Sequence, residues 1–405
     1  MAGITAMGTT FNLPNYQGEI FSLTPSDTPL LSAIGGLTGG GMTTATEFEW
    51  QTYDLGQAGQ NVALEGDVAP TAEGRVRANV RNVCQIHHRK VSVSYTKQSA
   101  TGQIATPTSA PYRGVPGDNP VTNELDWQVV QALKSVALDV NWSFVNGLYA
   151  NPTTNATPRK TRGLLAAITS NKVDKGTHVA TGASSATDTI TPASAHSLSV
   201  GDRVVFSSVG TASGLVVGRA YYVTSVSTTV SFKVSATSGG AAITLGTSTA
   251  NIAYRSGSTS DLDVPTIESF IQQVWDNGGL SGGLPILLVN SRQKRAISAA
   301  YAAAYAKANP IVNGDNVGGV PIQRVATDFG EFGIMLDRAV PVDAITLVTM
   351  DQLKPVFLNT PGKGVFFEEP LAKTGSSDDV QLYGEIGLKY GTEAAHGVLR
   401  GLKVA

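Results

Sequence analysis

The chain is 405 residues long, enough for two or three compact units, and it sets 41% hydrophobic against only 15% charged residues, too few charges for a protein whose whole surface meets water. Its formal net charge of −2 excludes a strongly basic nucleic-acid binder, and the lone Cys84 excludes an intrachain disulfide and a cysteine-rich zinc site. Met1 to Pro14 lacks the basic stretch and apolar core of a signal peptide, and no run approaches about 18 apolar residues, so neither export nor a membrane span is expected.

With 44 glycines and abundant Ser and Thr, more strand than helix is predicted. Residues 1–42 hold few charges and one apolar cluster, Pro29, Leu30, Leu31, Ala33 and Ile34. They read as an arm held down by neighbouring molecules, which makes Leu30 and Leu31 candidate contacts between subunits. From Thr46 to Tyr53, Glu47, Glu49 and Gln51 alternate with Phe48, Trp50 and Thr52, the pattern of a half-buried strand. A second strand answers it, with Arg75, Arg77, Asn79 and Arg81 alternating with Val76, Ala78 and Val80. An acidic strand face beside a basic one predicts a long hairpin. Residues 54–74 between them carry Gly56, Gly59, Gly66, Pro70 and Gly74, too long and too flexible for a tight turn, and suited to reaching a neighbour. The charges Glu47, Glu49, Arg75, Arg77 and Arg81 are then either solvated strand faces or docking contacts that set register.

Asn119 and Pro120 read as an N-cap and first helical position. Leu125, Val129, Ala132, Val136, Val140, Phe144 and Leu148 follow at three- and four-residue intervals, so a helix is predicted over 119–150, about 45 Å long at 1.5 Å per residue. From about 171 to 260 the sequence turns to Ser, Thr, Val, Gly and Ala in short alternating runs, with strands predicted at 202–207, 220–226, 230–235 and 243–245. This reads as a small all-β domain inserted into a larger one. Beyond it come a helix over 265–277, a buried strand over 285–289 and an Ala-rich helix over 292–307. Strands at 345–349 and 380–389 follow, and a closing strand over 394–402 pairs back onto the sheet.

Little in the chain points to chemistry. His87 and His88 are adjacent on a strand, so they face opposite sides and cannot share a metal. Gly278-Gly-Leu-Ser-Gly-Gly283 lacks the Lys and Ser or Thr of a phosphate-binding loop and reads as a turn. No Gly-x-Ser-x-Gly elbow stands at a strand-to-helix turn. Trp127 and Trp142 read as core or interface residues. No cofactor, metal or catalytic residue is expected.

The order of parts resembles the major capsid proteins of tailed phages with the Hong Kong 97-like fold, an α+β fold of N-arm, extended loop, peripheral domain with a long spine helix, and axial domain. The stretches that carry the likeness are Thr24-Pro-Ser-Asp-Thr-Pro-Leu-Leu-Ser-Ala-Ile34, Thr161-Arg-Gly-Leu-Leu-Ala-Ala-Ile168 and Leu288-Val-Asn-Ser-Arg-Gln-Lys294, which look like coat proteins of phages infecting actinobacteria. The resemblance implies an N-arm at 1–42, an extended loop at 43–100, a peripheral domain at 101–170, an axial domain at 261–345 and closing strands at 346–405, around the insertion at 171–260. Leu198-Ser-Val-Gly-Asp-Arg-Val-Val-Phe206 looks like a module of other phage structural proteins. A self-assembling shell is implied, built of pentamers and hexamers and enclosing double-stranded DNA, with portal, scaffold and possible decoration proteins as partners and assembly in the host cytoplasm. The opening Met1 suggests that no scaffold segment is removed. Some members of the family join subunits through a Lys–Asn bond promoted by a Glu; residues 54–74 contain no lysine, so a non-covalent shell is expected here. The competing expectations are a tail or decoration subunit and a glycan-binding adhesin working through the β-domain.

Overall fold

The computed structural model describes residues 22–55, 59–69, 71, 74–99, 123–175, 177–194, 196, 198–227, 230–248, 252–255, 261–280, 282–283, 285–308, 324–372 and 375–403. Strand exceeds helix. The chain divides into two compact units. One draws on Ile86–Val140 and Asn359–Glu385, the other on Thr28–Gln85, Asn141–Leu358 and Ile386–Ala405.

In the first unit, Phe366–Pro370 pairs antiparallel with Ser377–Lys389 from Phe366↔Gly384 to Pro370↔Val380, and Gln85–Ser94 also pairs with that long strand. Charge reinforces the pairing: Lys90 Nζ lies 2.7 Å from Asp379, which also accepts from Ser92 Oγ, and Arg89 lies 2.7 Å from Asp139. The helix at Asp139, Glu124–Asn146, is the longest among the described residues. Asn119 and Pro120 lie outside the described residues; within them the first turn is capped by Asn123, whose Oδ1 accepts from the backbone of Leu125 (3.1 Å) and Asp126 (3.4 Å). Val136, Val140 and Phe144 of the predicted stripe are buried. Leu148 is not, because the helix has ended before it at Asn146, and its side chain is 53% exposed.

The second unit is built on a six-stranded sheet in the order Arg324–Thr327, Gly330–Leu336, Pro285–Val289, Ile345–Thr349, Gly397–Arg400, Lys172–Asp174. Pro285–Val289 runs parallel to Gly330–Leu336 and antiparallel to Ile345–Thr349, and its Leu287, Leu288 and Val289 are buried, as the apolar run requires. Against this sheet pack Val264–Asp276 and Ser291–Ala308. Asp263 caps the first of them, its carboxylate accepting from Thr266 N–H at 3.2 Å, and Ile267, Phe270, Ile271 and Val274 form its buried stripe. The closing strand is shorter than the sequence suggests. Glu393–Ala395 makes a 3-10 turn, and only Gly397–Arg400 is strand, antiparallel to Ile345–Thr349 and parallel to Lys172–Asp174. The turn is held by the fully buried His396, whose ring pairs with Tyr390 O (2.9 Å) and Thr349 N (3.3 Å).

Between Lys172–Asp174 and Val264–Asp276 the chain forms a closed six-stranded barrel, ordered Ser231–Ser235, Thr189–Pro192, Thr177–Ser184, Ile252–Arg255, Arg203–Ser208, Ala220–Ser227. It has its own core, in which Ile190, Phe206, Tyr221, Phe232, Val234 and Tyr254 are buried, with Phe232 edge-on to Tyr254 at 5.2 Å. Ile243–Leu245 is not a strand; the backbone is irregular there, and Leu245 is buried while its N–H donates to Asp188 Oδ1 at 2.9 Å.

Candidate assembly interface

The predicted hairpin forms with the anticipated faces. Glu47–Tyr53 pairs antiparallel with Arg77–Val83, placing Glu49 opposite Arg81, Gln51 opposite Asn79 and Tyr53 opposite Arg77. Alternation puts Phe48 and Trp50 on the inner face, where both are buried. Trp50 Nε1 donates to Gly391 O at 2.6 Å and its ring meets Tyr390 edge-on at 4.9 Å. The return strand is pinned by Asn82, fully buried: its Nδ2 donates to Leu388 O (2.7 Å) and Arg162 O (3.1 Å), and its Oδ1 accepts from the N–H of Arg162 (2.8 Å). Gly387 makes room for this base, since a Cβ there would stand 2.6 Å from the Phe48 ring.

The charged residues divide between base and projecting part. Glu47 belongs to the base: it accepts from Tyr149 Oη (3.2 Å) and Asn151 Nδ2 (3.1 Å) and lies 3.6 Å from Arg81. Burial, and after it the Glu47 carboxylate, raise the Tyr149 phenol above its ordinary value. Glu49 accepts from Asn79 Nδ2 at 3.0 Å. Arg75 and Arg77 are exposed, and the Arg77 side chain makes no hydrogen bond or ion pair among the described residues. Around them Tyr53, Leu55, Val62, Leu64, Val68 and Val76 stand in solvent, Val76 with 88% of its surface open. Large apolar side chains left uncovered among the described residues are the signature of a partner surface.

Leu30 and Leu31 correct the expectation. They are 0% and 1% exposed, buried by their own chain, and have no surface to offer a neighbour. The physical reason lies in their helix, Pro29–Ile34, whose first N–H groups need acceptors. Leu31 N–H finds Asn141 Oδ1 at 3.0 Å and Leu30 N–H finds Asp337 Oδ2 at 3.4 Å, while Asn141 Nδ2 ties the two acceptors together at 3.0 Å. Gly41–Thr43 then pairs parallel with Val356–Leu358. The arm from Thr28 onward therefore packs on its own body; residues 1–21 lie outside the described residues. Neither Asn141 nor Asp337 was singled out from the sequence, where nothing sets them apart from other helix and loop polar residues.

Of the two histidines, His87 is buried and His88 is exposed, 3.3 Å from Gln381, so the strand does turn them to opposite sides. Desolvation pushes His87 down to about 4 against the pull of Asp139. Trp142 is 40% exposed and Trp127 half-buried.

Comparison with solved structures shows the same architecture. A chain of the cyanophage A-1(L) capsid asymmetric unit matches with a TM-score of 0.52 at 11% identity, covering 98% of this chain and 99% of that one. The capsid of an empty GTA particle matches with a TM-score of 0.48 at 11% identity over 99% and 100% of the two chains, and Mycobacterium phage Che8 with 0.43 at 9% over 96% and 97%. No curated protein matches the sequence. The fold is the Hong Kong 97-like fold of phage capsids. The profile of the SU10 major capsid protein family matches residues 3–403, and the chain belongs to that family. It is a capsid shell protein that assembles with copies of itself in the virion, which sets aside a tail or decoration subunit.

Proposed function

We propose that this subunit builds the icosahedral head of a tailed phage from pentamers and hexamers, enclosing double-stranded DNA, and that the hairpin is its main lashing to the next copy. The observation that carries the reading is the contrast within the hairpin. Its base is locked by buried bonds to Gly391, Leu388 and Arg162, whereas its outer part holds Arg77 and six large apolar residues that stand exposed among the described residues. Apolar burial supplies the strength of such a contact, and the exposed Arg75 and Arg77 set its register. Glu49 and Arg81 steady the pair of strands. A net charge of −2 suits a container that holds DNA without gripping it. Portal, scaffold and decoration proteins would complete the particle, assembled in the host cytoplasm, and the chain contributes no catalysis. Electron microscopy of the purified full-length protein tests the shell: closed icosahedral particles are expected, and a uniform population of monomers would refute it. Arg77→Glu tests the lashing. The variant should keep its far-ultraviolet circular dichroism and lose most closed particles; an undiminished particle yield removes the docking role.

A further inference from the structure

A cavity of about 350 Å³ opens where the barrel meets the six-stranded sheet and the end of the long helix. Its walls are of two kinds. Leu148, Ile168, Val217 and Pro341 make an apolar side, and Lys172, Arg255 and Arg400 bring three cations to the other. Two carboxylates serve these three cations. Arg255 holds Asp343 through Nε and Nη2, while Asp174 is shared between Arg400, at 2.7 and 2.9 Å, and Lys172, at 3.1 Å. One positive charge is left in excess, and both arginines are nine-tenths buried or more.

An independent mark stands at the same cavity. Asn146 is 5% exposed and donates through Nδ2 to Ala339 O at 2.7 Å, which fixes its amide so that Oδ1 points to Gly218, and this oxygen accepts no hydrogen bond. A Cβ on Gly218, at φ +79°, would lie 3.0 Å from that oxygen, so any larger residue there would crowd it. A buried acceptor without a donor is unfavourable until something supplies one.

We infer that this cavity binds a small hydroxyl-bearing organic anion. Its carboxylate or phosphate group sits on Lys172 and the free edges of the two guanidinium groups, its hydroxyl donates to Asn146 Oδ1, and its short carbon body lies on the apolar wall. Bound there, it joins residues of the barrel (Val217, Gly218, Arg255) to residues of the body (Asn146, Lys172, Arg400).

Titration calorimetry of the full-length protein tests the site with glycerol 3-phosphate, lactate, inorganic phosphate and glycerol as probes. One of the two hydroxyl-bearing anions should bind at least about tenfold more tightly than inorganic phosphate, and whichever does so identifies the anionic group; glycerol should not bind. Lys172→Gln should weaken that binding about tenfold, and Ala166→Phe, which fills the cavity with every charge in place, should abolish it. Unchanged thermal melting of both variants confirms that they are folded. No binding of either organic anion overturns the inference, and so does equal binding in the wild type and both variants, the mark of an adventitious ion elsewhere.

Discussion

Asp343 and its partner show how single residues hold the barrel to the body. The carboxylate is fully buried, gripped by Arg255 and by Gly401 N–H at 3.3 Å. Arg255→Met leaves that charge without its cation and should cost about 3–5 kcal/mol, read as a lower urea midpoint; adding Asp343→Leu should recover much of the loss, because two apolar groups need no pairing. His87 makes the other prediction at this scale. Its pKa falls from 6.5 in the unfolded chain to about 4 in the folded one, driven by desolvation. The folded state thus keeps it neutral while the unfolded state takes up a proton below pH 6.5. Its contribution is fully present above that pH and declines as pH falls to about 4, by about 3 kcal/mol in all. His87→Leu should flatten the stability profile between pH 4 and 6.5 relative to the wild type; an unchanged slope would refute the shift. Asp343 did not stand out in the sequence, and His87 stood out only as one of an adjacent pair, since burial is decided by what packs around a side chain.

Elements differ in how far their own residues specify them. The long helix was legible because one apolar stripe persists over many turns, and Val264–Asp276 because its residues are amphipathic at a helical period, while its Asp263 cap emerged only in the structure. The barrel was legible only in part. Arg203–Ser208, Ala220–Ser227 and Ser231–Ser235 alternate visibly, but Thr177–Ser184 is mostly Thr, Ala, Gly and Ser, with little contrast between neighbouring positions, and Thr189–Pro192 is only four residues, too short to show a period. Their strand character comes from pairing partners that close the barrel, such as Ala180 opposite both Pro192 and Ile252. As an element with its own core, the barrel should be removable. Replacing residues 177–255 by a Gly-Ser linker in an Asp343→Leu background should leave a folded subunit and lower the temperature at which particles break down. Equal heat resistance would show that the barrel does not brace the shell.

At the scale of the whole molecule, strength must come from many modest contacts between copies, each needing complementary surface and no bond. With no lysine in residues 54–74, particles boiled in detergent should give a single band at the subunit mass; a ladder of higher bands would reveal covalent joining. What the sequence by itself determined is local: the hairpin's inner and outer faces, the helices with a strong period, the shortage of charge that calls for partners, and the order of parts that marks the family. What only the tertiary structure decided is which apolar groups are already covered. Leu30 and Leu31 look like Leu55, Val62, Leu64, Val68 and Val76 as sequence, yet the first two are buried beside Asn141 and Asp337, more than a hundred residues away, and the others stand exposed among the described residues. Hydrophobicity states that a side chain must leave water, and only the three-dimensional arrangement states whether its own chain or a neighbour receives it.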